Sequence, residues 1–253
     1  MKKTRTGYRE YVENEKYFDT YEAYQQRYRN QPRESDRVLV RLAVEALAQA
    51  GEAPRALDVG CSTGNLLYWL QRALPKARLV GSELAESSLE QCRRDPELAR
   101  ISFETLDITA MPPGADFDAI IVNAVFYCLS EPEFEQSVKS VARALKPGGS
   151  LLAFDFFHEV DNYRLALVEH SRTFPDGHKI AMRPRNQVRT LLEKHGFAQV
   201  DFHPFSMPFD LERQDDAPIL TSYTRRTEGG ERLTFRGVLY QPWCHLVARL
   251  GSK

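Results

Sequence analysis

Hydrophobic and polar positions alternate regularly along the chain between residues 55 and 157. Short apolar runs predict buried strands, and between them apolar positions recur every three or four residues, which predicts amphipathic helices. The predicted strands are 56–59, 79–80, 101–106, 119–122 and 151–157, and the predicted helices are 66–74, 85–94 and 132–145. This alternation predicts an α/β fold with a parallel sheet between helices, which binds ligands outside the carboxyl ends of its strands.

The segment before this alternation is rich in tyrosine. Four of its tyrosines stand three or four residues apart and share one face of a predicted helix: Tyr17, Tyr21, Tyr24 and Tyr28. This helix either packs on the main domain or forms a lid over a ligand. A second helix is predicted to open at Pro32 and to stop at Gly51. We therefore expect an N-terminal helical lid over residues 1–35 and a main domain over residues 36–253.

After residue 158 the alternation loosens. The pattern there predicts a helix over 185–195 and strands over 198–205, 221–227, 232–238 and 244–250, with the middle two strands forming a hairpin. An antiparallel section of this kind is common in mixed sheets. We expect residues 158–240 to form a C-terminal cap on the main domain.

Composition and charge narrow the class of protein. The 253 residues are 42% hydrophobic and 27% charged, which suffices for a core. The 34 basic and 35 acidic residues give a net charge of −1, which disfavours nucleic acid as a partner. We expect no signal peptide and no membrane helix, because no apolar run follows the basic start or approaches about 20 residues. The four cysteines form no C-x-x-C pair, which favours a reducing, cytoplasmic location.

The most informative segment reads LDVGCSTGN from Leu57 to Asn65, after a predicted strand and at the start of a predicted helix. Gly60 and Gly64 allow a sharp turn and a close approach of a ligand to the backbone, where the first amides of the helix face it. The segment lacks the lysine of a P-loop and the G-x-G-x-x-G spacing of a dinucleotide site. It therefore favours a nucleotide-like cofactor without a pyrophosphate.

Acidic residues end the next two predicted strands. Glu83 can accept hydrogen bonds from both hydroxyls of a ribose, although taken alone it is better interpreted as a solvent-facing acid at a strand end. Asp107 can accept a hydrogen bond from an exocyclic amine, and the backbone of Ile108 can face an adenine ring. After the glycine segment, these acids favour an adenosine-containing ligand.

In this order the motifs resemble those of class I S-adenosylmethionine-dependent methyltransferases. The similarity covers roughly residues 36–157 and includes the glycine segment, Glu83, Asp107 with Ile108, the strand FDAIIVN at 117–123 and LKPGG at 145–149. It implies a Rossmann-like, doubly wound, seven-stranded and mostly parallel sheet whose last strand is antiparallel. It also implies S-adenosylmethionine as cofactor and S-adenosylhomocysteine as product.

The resemblance further implies which residues hold the cofactor. Asp58 is expected near its amino group, and Asn123 with Ala124 along its methionine part. Ser62 takes a position that is often glycine in the family. The full predicted cofactor set is Tyr28, Arg33, Asp58, Gly60, Cys61, Ser62, Gly64, Asn65, Glu83, Leu84, Asp107, Ile108, Asn123 and Ala124.

Methyl transfer from a sulfonium is a one-step, in-line displacement, so orientation matters more than an elaborate catalytic triad. A hydroxyl acceptor would still benefit from a general base. His158, just past a predicted strand, is our first choice for that base, with a surface histidine as the alternative. Tyr127 either orients the acceptor or belongs to the core. No histidine cluster has metal-ligand spacing, so we expect no metal.

The residues after the fourth strand bear on the acceptor. Asn-Ala-Val-Phe at 123–126 replaces the Asn/Asp-Pro-Pro-Tyr type of motif, which argues against the nitrogen of a nucleobase or glutamine. Aromatic residues of the cap can wall a pocket: Phe174, Phe202, Phe205, Phe209, Tyr223 and Tyr240. We expect a small-molecule acceptor, from secondary or glycan metabolism, methylated on oxygen or nitrogen by a monomer or homodimer. The alternatives are a tRNA or rRNA methyltransferase and a catalytically silent cofactor-binding regulatory protein.

Overall fold

The fold is described from a computed structural model of the chain. It describes residues 25, 28–114, 116–171, 174, 177–214 and 220–252. Tyr17, Tyr21 and Tyr24, and with them most of the predicted lid over 1–35, lie outside these residues.

Twelve strands and five α-helices are present in the described part of the chain. The strands are β1 (Arg55–Val59), β2 (Arg78–Glu83), β3 (Ser102–Thr105), β4 (Phe117–Asn123), β5 (Leu145–His158), β6 (Leu165–Glu169), β7 (His178–Pro184), β8 (Phe197–Pro204), β9 (Ser222–Arg226), β10 (Arg232–Arg236), β11 (Leu239–Tyr240) and β12 (Trp243–Leu250). The helices are α1 (Glu34–Leu47), α2 (Asn65–Ala73), α3 (Glu86–Arg94), α4 (Glu131–Ala144) and α5 (Arg185–Lys194). Short 3₁₀ turns occupy Pro96–Leu98, Ile108–Ala110 and Phe126–Cys128.

The main sheet follows the order β3-β2-β1-β4-β5-β12-β8. Strands β1 to β5 run parallel, whereas β12 is antiparallel to both of its neighbours, β5 and β8. The predicted seven-stranded sheet with an antiparallel last strand is thus confirmed. The strand order reverses between β1 and β4, which is where ligands bind in sheets of this type.

Two further strands were absent from the prediction. Strand β7 pairs with β5 over only two residues, and β6 forms an antiparallel hairpin with β7. Charged Lys179 and Arg183 interrupt the apolar pattern of β7, yet Arg183 is buried, so hydrophobicity alone does not reveal this strand. Strands β9, β10 and β11 form a separate small sheet, which contains the predicted hairpin.

Strand β5 begins at Leu145, earlier than the predicted start at residue 151. Residues 146–149 do not separate α4 from β5 but lie within β5 as a large bulge, since Phe117 pairs with Leu145 and Ala119 with Ser150. A β-carbon at Gly149 would lie 2.9 Å from the carbonyl oxygen of Lys146. Only glycine allows this close backbone packing.

Helices cover both faces of the sheet, as the amphipathic pattern requires. On one face α4 and α5 bury Phe134, Val138, Val141, Val188 and Leu192. On the other, α1, α2 and α3 bury Leu39, Leu42, Leu66, Leu67, Leu70 and Leu89. The start of α4 is fixed by a capping box between Ser130 and Glu133. This rigid frame leaves the carboxyl ends of the central strands open for a site.

Candidate functional site

A cavity of about 710 Å³ opens at the carboxyl ends of β1, β2 and β4. We call one side the acidic half, lined by Asp36, Asp58, Ser62, Glu83, Ile108 and Asn123. We call the other side the aromatic half, lined by Tyr127, Phe154, Phe174, Phe205, Phe209 and Trp243. Both halves belong to one continuous space, so a ligand in each half could touch the other.

The glycine segment between β1 and α2 shapes the acidic half. The backbone amides of Gly60 and Cys61 donate to the carbonyl oxygen of Ser82, at 2.8 and 2.9 Å, and so fix the segment against β2. Gly60 has a φ of 72°, and a β-carbon there would lie 2.6 Å from Val125 Cγ2. Glycine is therefore required both for the turn and for the space beside Val125.

Asp58 is 2% exposed, and its Oδ1 has no hydrogen-bond partner among the described residues. Burial first, and then the charges of Asp36 and Glu83, raise the pKa of Asp58 well above its usual range. Asp36 accepts a hydrogen bond from Asn123 Nδ2 at 3.1 Å, and burial raises its pKa too. Burial thus disfavours the charged form of both acids, and a cationic ligand beside them would favour it.

Glu83 reaches from the end of β2 back to the glycine segment. Its carboxylate accepts hydrogen bonds from the backbone amides of Leu84 at 2.7 Å and Ser62 at 3.3 Å. Burial raises the pKa of Glu83, while these hydrogen bonds act in the opposite direction. Each carboxylate oxygen keeps accepting capacity, so Glu83 can also bind ligand hydroxyls.

Stacked rings build the aromatic half. The rings of Phe154 and Trp243 lie parallel with centroids 4.6 Å apart, and Phe205 meets Phe154 edge-on at 5.4 Å. Tyr127 packs at 5.1 Å from Phe156 and at 6.3 Å from Trp243. This arrangement gives a rigid apolar wall that excludes water from a bound ligand.

Most of the predicted site residues line this cavity: Tyr28, Arg33, Asp58, Gly60, Cys61, Ser62, Asn65, Glu83, Leu84, Ile108, Asn123, Ala124 and Tyr127. The guanidinium of Arg33 lies 4.2 Å from the ring centroid of Tyr28 and 4.0 Å from the carboxylate of Asp36. Arg33 therefore places a positive charge at the rim of the acidic half.

Gly64 and Asp107 do not line the cavity, for two different reasons. A β-carbon at Gly64 would lie 2.6 Å from Leu98 Cδ1, so this glycine serves packing and the start of α2. Asp107 Oδ1 accepts hydrogen bonds from the amide of Thr109 at 2.9 Å and from its hydroxyl at 2.7 Å. Its carboxylate thus caps the Ile108–Ala110 turn, and the contact with an exocyclic amine stays a prediction.

His158, the predicted general base, is likewise outside the cavity lining. Its backbone pairs with Pro184 of β7, and its ring lies 5.8 Å from that of Tyr163. Strand β7, which was absent from the prediction, covers this end of β5. A general base at His158 stays a prediction, for a residue that lies outside the cavity lining.

Several residues of the aromatic half were not predicted from the sequence, and some of the predicted aromatic residues lie outside the cavity lining. Phe154, Trp243, Arg236 and Gln241 line the cavity but were not predicted to do so. Of the aromatic cap residues that were predicted, Phe202, Tyr223 and Tyr240 do not line it. Trp243 begins the last strand, β12, and pairs with Phe156 of β5. The expected antiparallel placement of the last strand could have indicated that Trp243 lies near the carboxyl end of β5.

The chain is similar in sequence to known methyltransferases. Residues 56–149 match the family model described as a methyltransferase domain. The chain is 33% identical over 139 residues to a malonyl-[acyl-carrier protein] O-methyltransferase of Halalkalibacterium halodurans, covering 51% of each chain. It is 32% identical over 126 residues to a fatty-acid O-methyltransferase of Mycolicibacterium smegmatis, covering 48% of this chain and 44% of that one.

The chain therefore carries a methyltransferase domain over residues 56–149. It spans about half the length of the curated relatives that it matches. A solved 1,6-didemethyltoxoflavin-N1-methyltransferase of Burkholderia thailandensis has a TM-score of 0.59 at 16% identity, covering 93% of this chain and 87% of that one. The [4+2]-cyclase SpnF has a TM-score of 0.52 at 24% identity, covering 68% and 61%. These two likenesses show the fold alone.

The acidic half of this methyltransferase domain fits S-adenosylmethionine. The unpaired Oδ1 of buried Asp58 would hold the cofactor's ammonium group, and Glu83 would hold its ribose hydroxyls. Apolar Leu106 and Ile108 would flank the adenine. Among the described residues, no cluster of three or more potential metal ligands occurs, and no helix has the length and hydropathy of a membrane span.

Proposed function

We propose that this protein transfers the methyl group of S-adenosylmethionine to an oxygen or nitrogen atom of a small molecule. The observation that carries the proposal is the continuity of the cavity, which joins the acidic half to the aromatic half. One half suits a cationic adenosine derivative, and the other suits an apolar partner beside it.

The bound cofactor would supply an electrophilic methyl group on a positively charged sulfur. The chain's own task is then to hold the two molecules in line and to exclude water. Such orientation can lower the activation barrier by roughly 7–11 kcal/mol. The three acids of the acidic half bind and orient the cationic molecule. The stacked rings of the aromatic half, together with Tyr127, position the acceptor against it.

Oxygen is the favoured acceptor atom, because the two curated relatives described above are O-methyltransferases. The lining favours an apolar secondary metabolite over a glycan. Phe154, Phe205 and Trp243 offer ring faces, whereas a glycan would need many hydrogen-bonding groups. A tRNA or rRNA acceptor is disfavoured by the net charge of −1.

A calorimetric titration with S-adenosylhomocysteine tests the proposal. Wild-type protein is expected to bind, and Glu83→Ala to bind about 10- to 150-fold more weakly, the usual effect of removing hydrogen bonds to a charged group. Glu104→Ala is the matched control, because Glu104 is an exposed acid on neighbouring β3. Absence of binding to the wild type, or equal binding to all three proteins, would refute the proposal.

Tight binding without turnover would favour the catalytically silent alternative. The acceptor acids and alcohols named in the next subsection serve for this second measurement, with release of S-adenosylhomocysteine from S-adenosylmethionine as the readout. Product release with any of them supports methyl transfer to a small molecule.

A further inference from the structure

The small sheet presents a polar strip to the aromatic half of the cavity. Thr234 and Arg236 are two residues apart on β10 and therefore share one face. Ser222 on β9 pairs directly with Arg236, which places it on the same face. All three residues line the cavity, so this face of the small sheet meets a ligand that lies against the rings.

The guanidinium of Arg236 uses only part of its hydrogen-bonding capacity. Its Nη2 donates to Glu169 Oε1 at 3.0 Å, and its guanidinium carbon lies 4.9 Å from the ring centroid of Phe174. Its Nε is buried and has no hydrogen-bond partner among the described residues. The two side chains of the ion pair are only 16% and 15% exposed, so water screens the charge weakly.

The charges that line the cavity are unevenly distributed. The lining carboxylates of the described residues, Glu34, Asp36, Asp58 and Glu83, come from α1 and from the strand ends of the acidic half. In the aromatic half Arg236 is the one charged residue among the described lining residues.

The positive charge of Arg236 affects His178, which packs in the wall of the aromatic half. His178 stacks on Phe174 at 4.3 Å and meets Tyr127 edge-on at 5.5 Å. Burial and then the charge of Arg236 lower the pKa of His178 to about 3. His178 is therefore uncharged, and Arg236 supplies a positive charge at the end of this wall that lies away from Tyr127.

We propose that Arg236 binds a carboxylate group of the methyl acceptor, so that the acceptor is an apolar organic acid whose body lies along the rings between Arg236 and Tyr127. This inference rests on the proposed function and names its substrate class. A guanidinium suits a carboxylate because it offers several N–H donors in one plane. The hydroxyl-bearing neighbours Ser222 and Thr234 give the strip further polar groups.

A different role for Arg236 would be purely structural, since its bond to Glu169 ties the small sheet to β6. The two roles make opposite predictions for Glu169. Glu169→Gln removes the ion pair but leaves the cation, whereas Arg236→Gln removes both. A tie alone would make the two variants alike, while a carboxylate site would make them differ.

The experiment measures dissociation constants in the presence of saturating S-adenosylhomocysteine. The probes are three acids, benzoate, 2-naphthoate and decanoate, each with its matched alcohol, on wild type, Arg236→Gln and Glu169→Gln. We expect at least one acid to bind the wild type about 10-fold or more tightly than its alcohol, the size of a charge-assisted hydrogen bond. Arg236→Gln should bring this ratio to within about 3-fold of unity, and Glu169→Gln should keep or increase it.

The outcomes separate the inference from the proposed function. If no acid exceeds its alcohol on the wild type, or if both variants lose the preference together, the carboxylate site is refuted while cofactor binding stands. If the wild type fails to bind S-adenosylhomocysteine, the proposed function fails first. Urea unfolding of each variant shows whether a lost preference reflects lost structure.

Discussion

Replacement of Gly60 by alanine is expected to destabilise the protein and to disturb its cofactor site. At a φ of 72° an alanine costs about 1–2 kcal/mol, because the β-carbon approaches the following carbonyl. That β-carbon would also lie 2.6 Å from Val125 Cγ2, and such overpacking adds about 1–3 kcal/mol. We therefore expect Gly60→Ala to lose about 2–5 kcal/mol of unfolding free energy.

The chain provides a matched control for this change. Gly51 has a nearly identical φ of 69°, and a β-carbon there would meet nothing within 4 Å. Gly51→Ala should therefore show the backbone cost of about 1–2 kcal/mol alone. The difference between the two variants isolates the contact with Val125.

Urea unfolding followed by tryptophan fluorescence measures both free energies. Adding Val125→Ala to Gly60→Ala removes the close atom, so a double-mutant cycle should give a coupling of about 1–3 kcal/mol. Because Val125 lines the cavity, any rotation that relieves the contact intrudes on the ligand, and Gly60→Ala should also weaken binding of S-adenosylhomocysteine. Equal loss at Gly51 and Gly60, or a coupling near zero, would refute this reasoning.

Three further predictions concern buried charge. Burial raises the pKa of Asp155 to about 7, so the folded protein keeps a proton that the unfolded chain releases near pH 4. The unfolding free energy of the wild type should therefore fall by roughly 3 kcal/mol between pH 5 and pH 8. Urea unfolding measures this fall, and Asp155→Asn should not show it. Arg183→Met should cost about 3 kcal/mol in the same assay, because buried Arg183 donates to two backbone carbonyls at 2.8 and 2.6 Å, whereas Arg164→Met, which loses only an exposed pair with Glu131, should cost less than about 1 kcal/mol. Binding of S-adenosylhomocysteine should release a proton from Asp58 and should therefore tighten as the pH rises. Calorimetry in buffers of different ionisation enthalpy checks this, and proton release that persists in Asp58→Asn would contradict it.

The order and type of the central elements followed from the sequence because each element carries its own pattern. Residues 119–122 of β4 are a continuous apolar run, and α4 carries apolar residues such as Phe134, Val138 and Val141 on one side. The positions of Gly60, Glu83 and Ile108 at one cavity also followed, because parallel strands bring their carboxyl ends to one edge.

At His158 and Arg236 the sequence offered no guide, because their surroundings come from segments far apart in sequence. His158 stands where a strand end should be open, but β7 covers it. At Asp107 the cause is local, because its carboxylate accepts hydrogen bonds from Thr109, two residues further along the chain. Arg236 comes from the small sheet, 67 residues after its partner Glu169, and periodicity within either segment carries no information about that pair.

A crystal structure with bound S-adenosylhomocysteine tests the central claim most directly. We expect the ribose hydroxyls on the carboxylate of Glu83, the amino group within hydrogen-bond distance of Asp58 Oδ1, and the sulfur facing the ring of Tyr127. Clear density for the ligand at any other place on the protein, with the acidic half filled by the chain's own side chains, would contradict it.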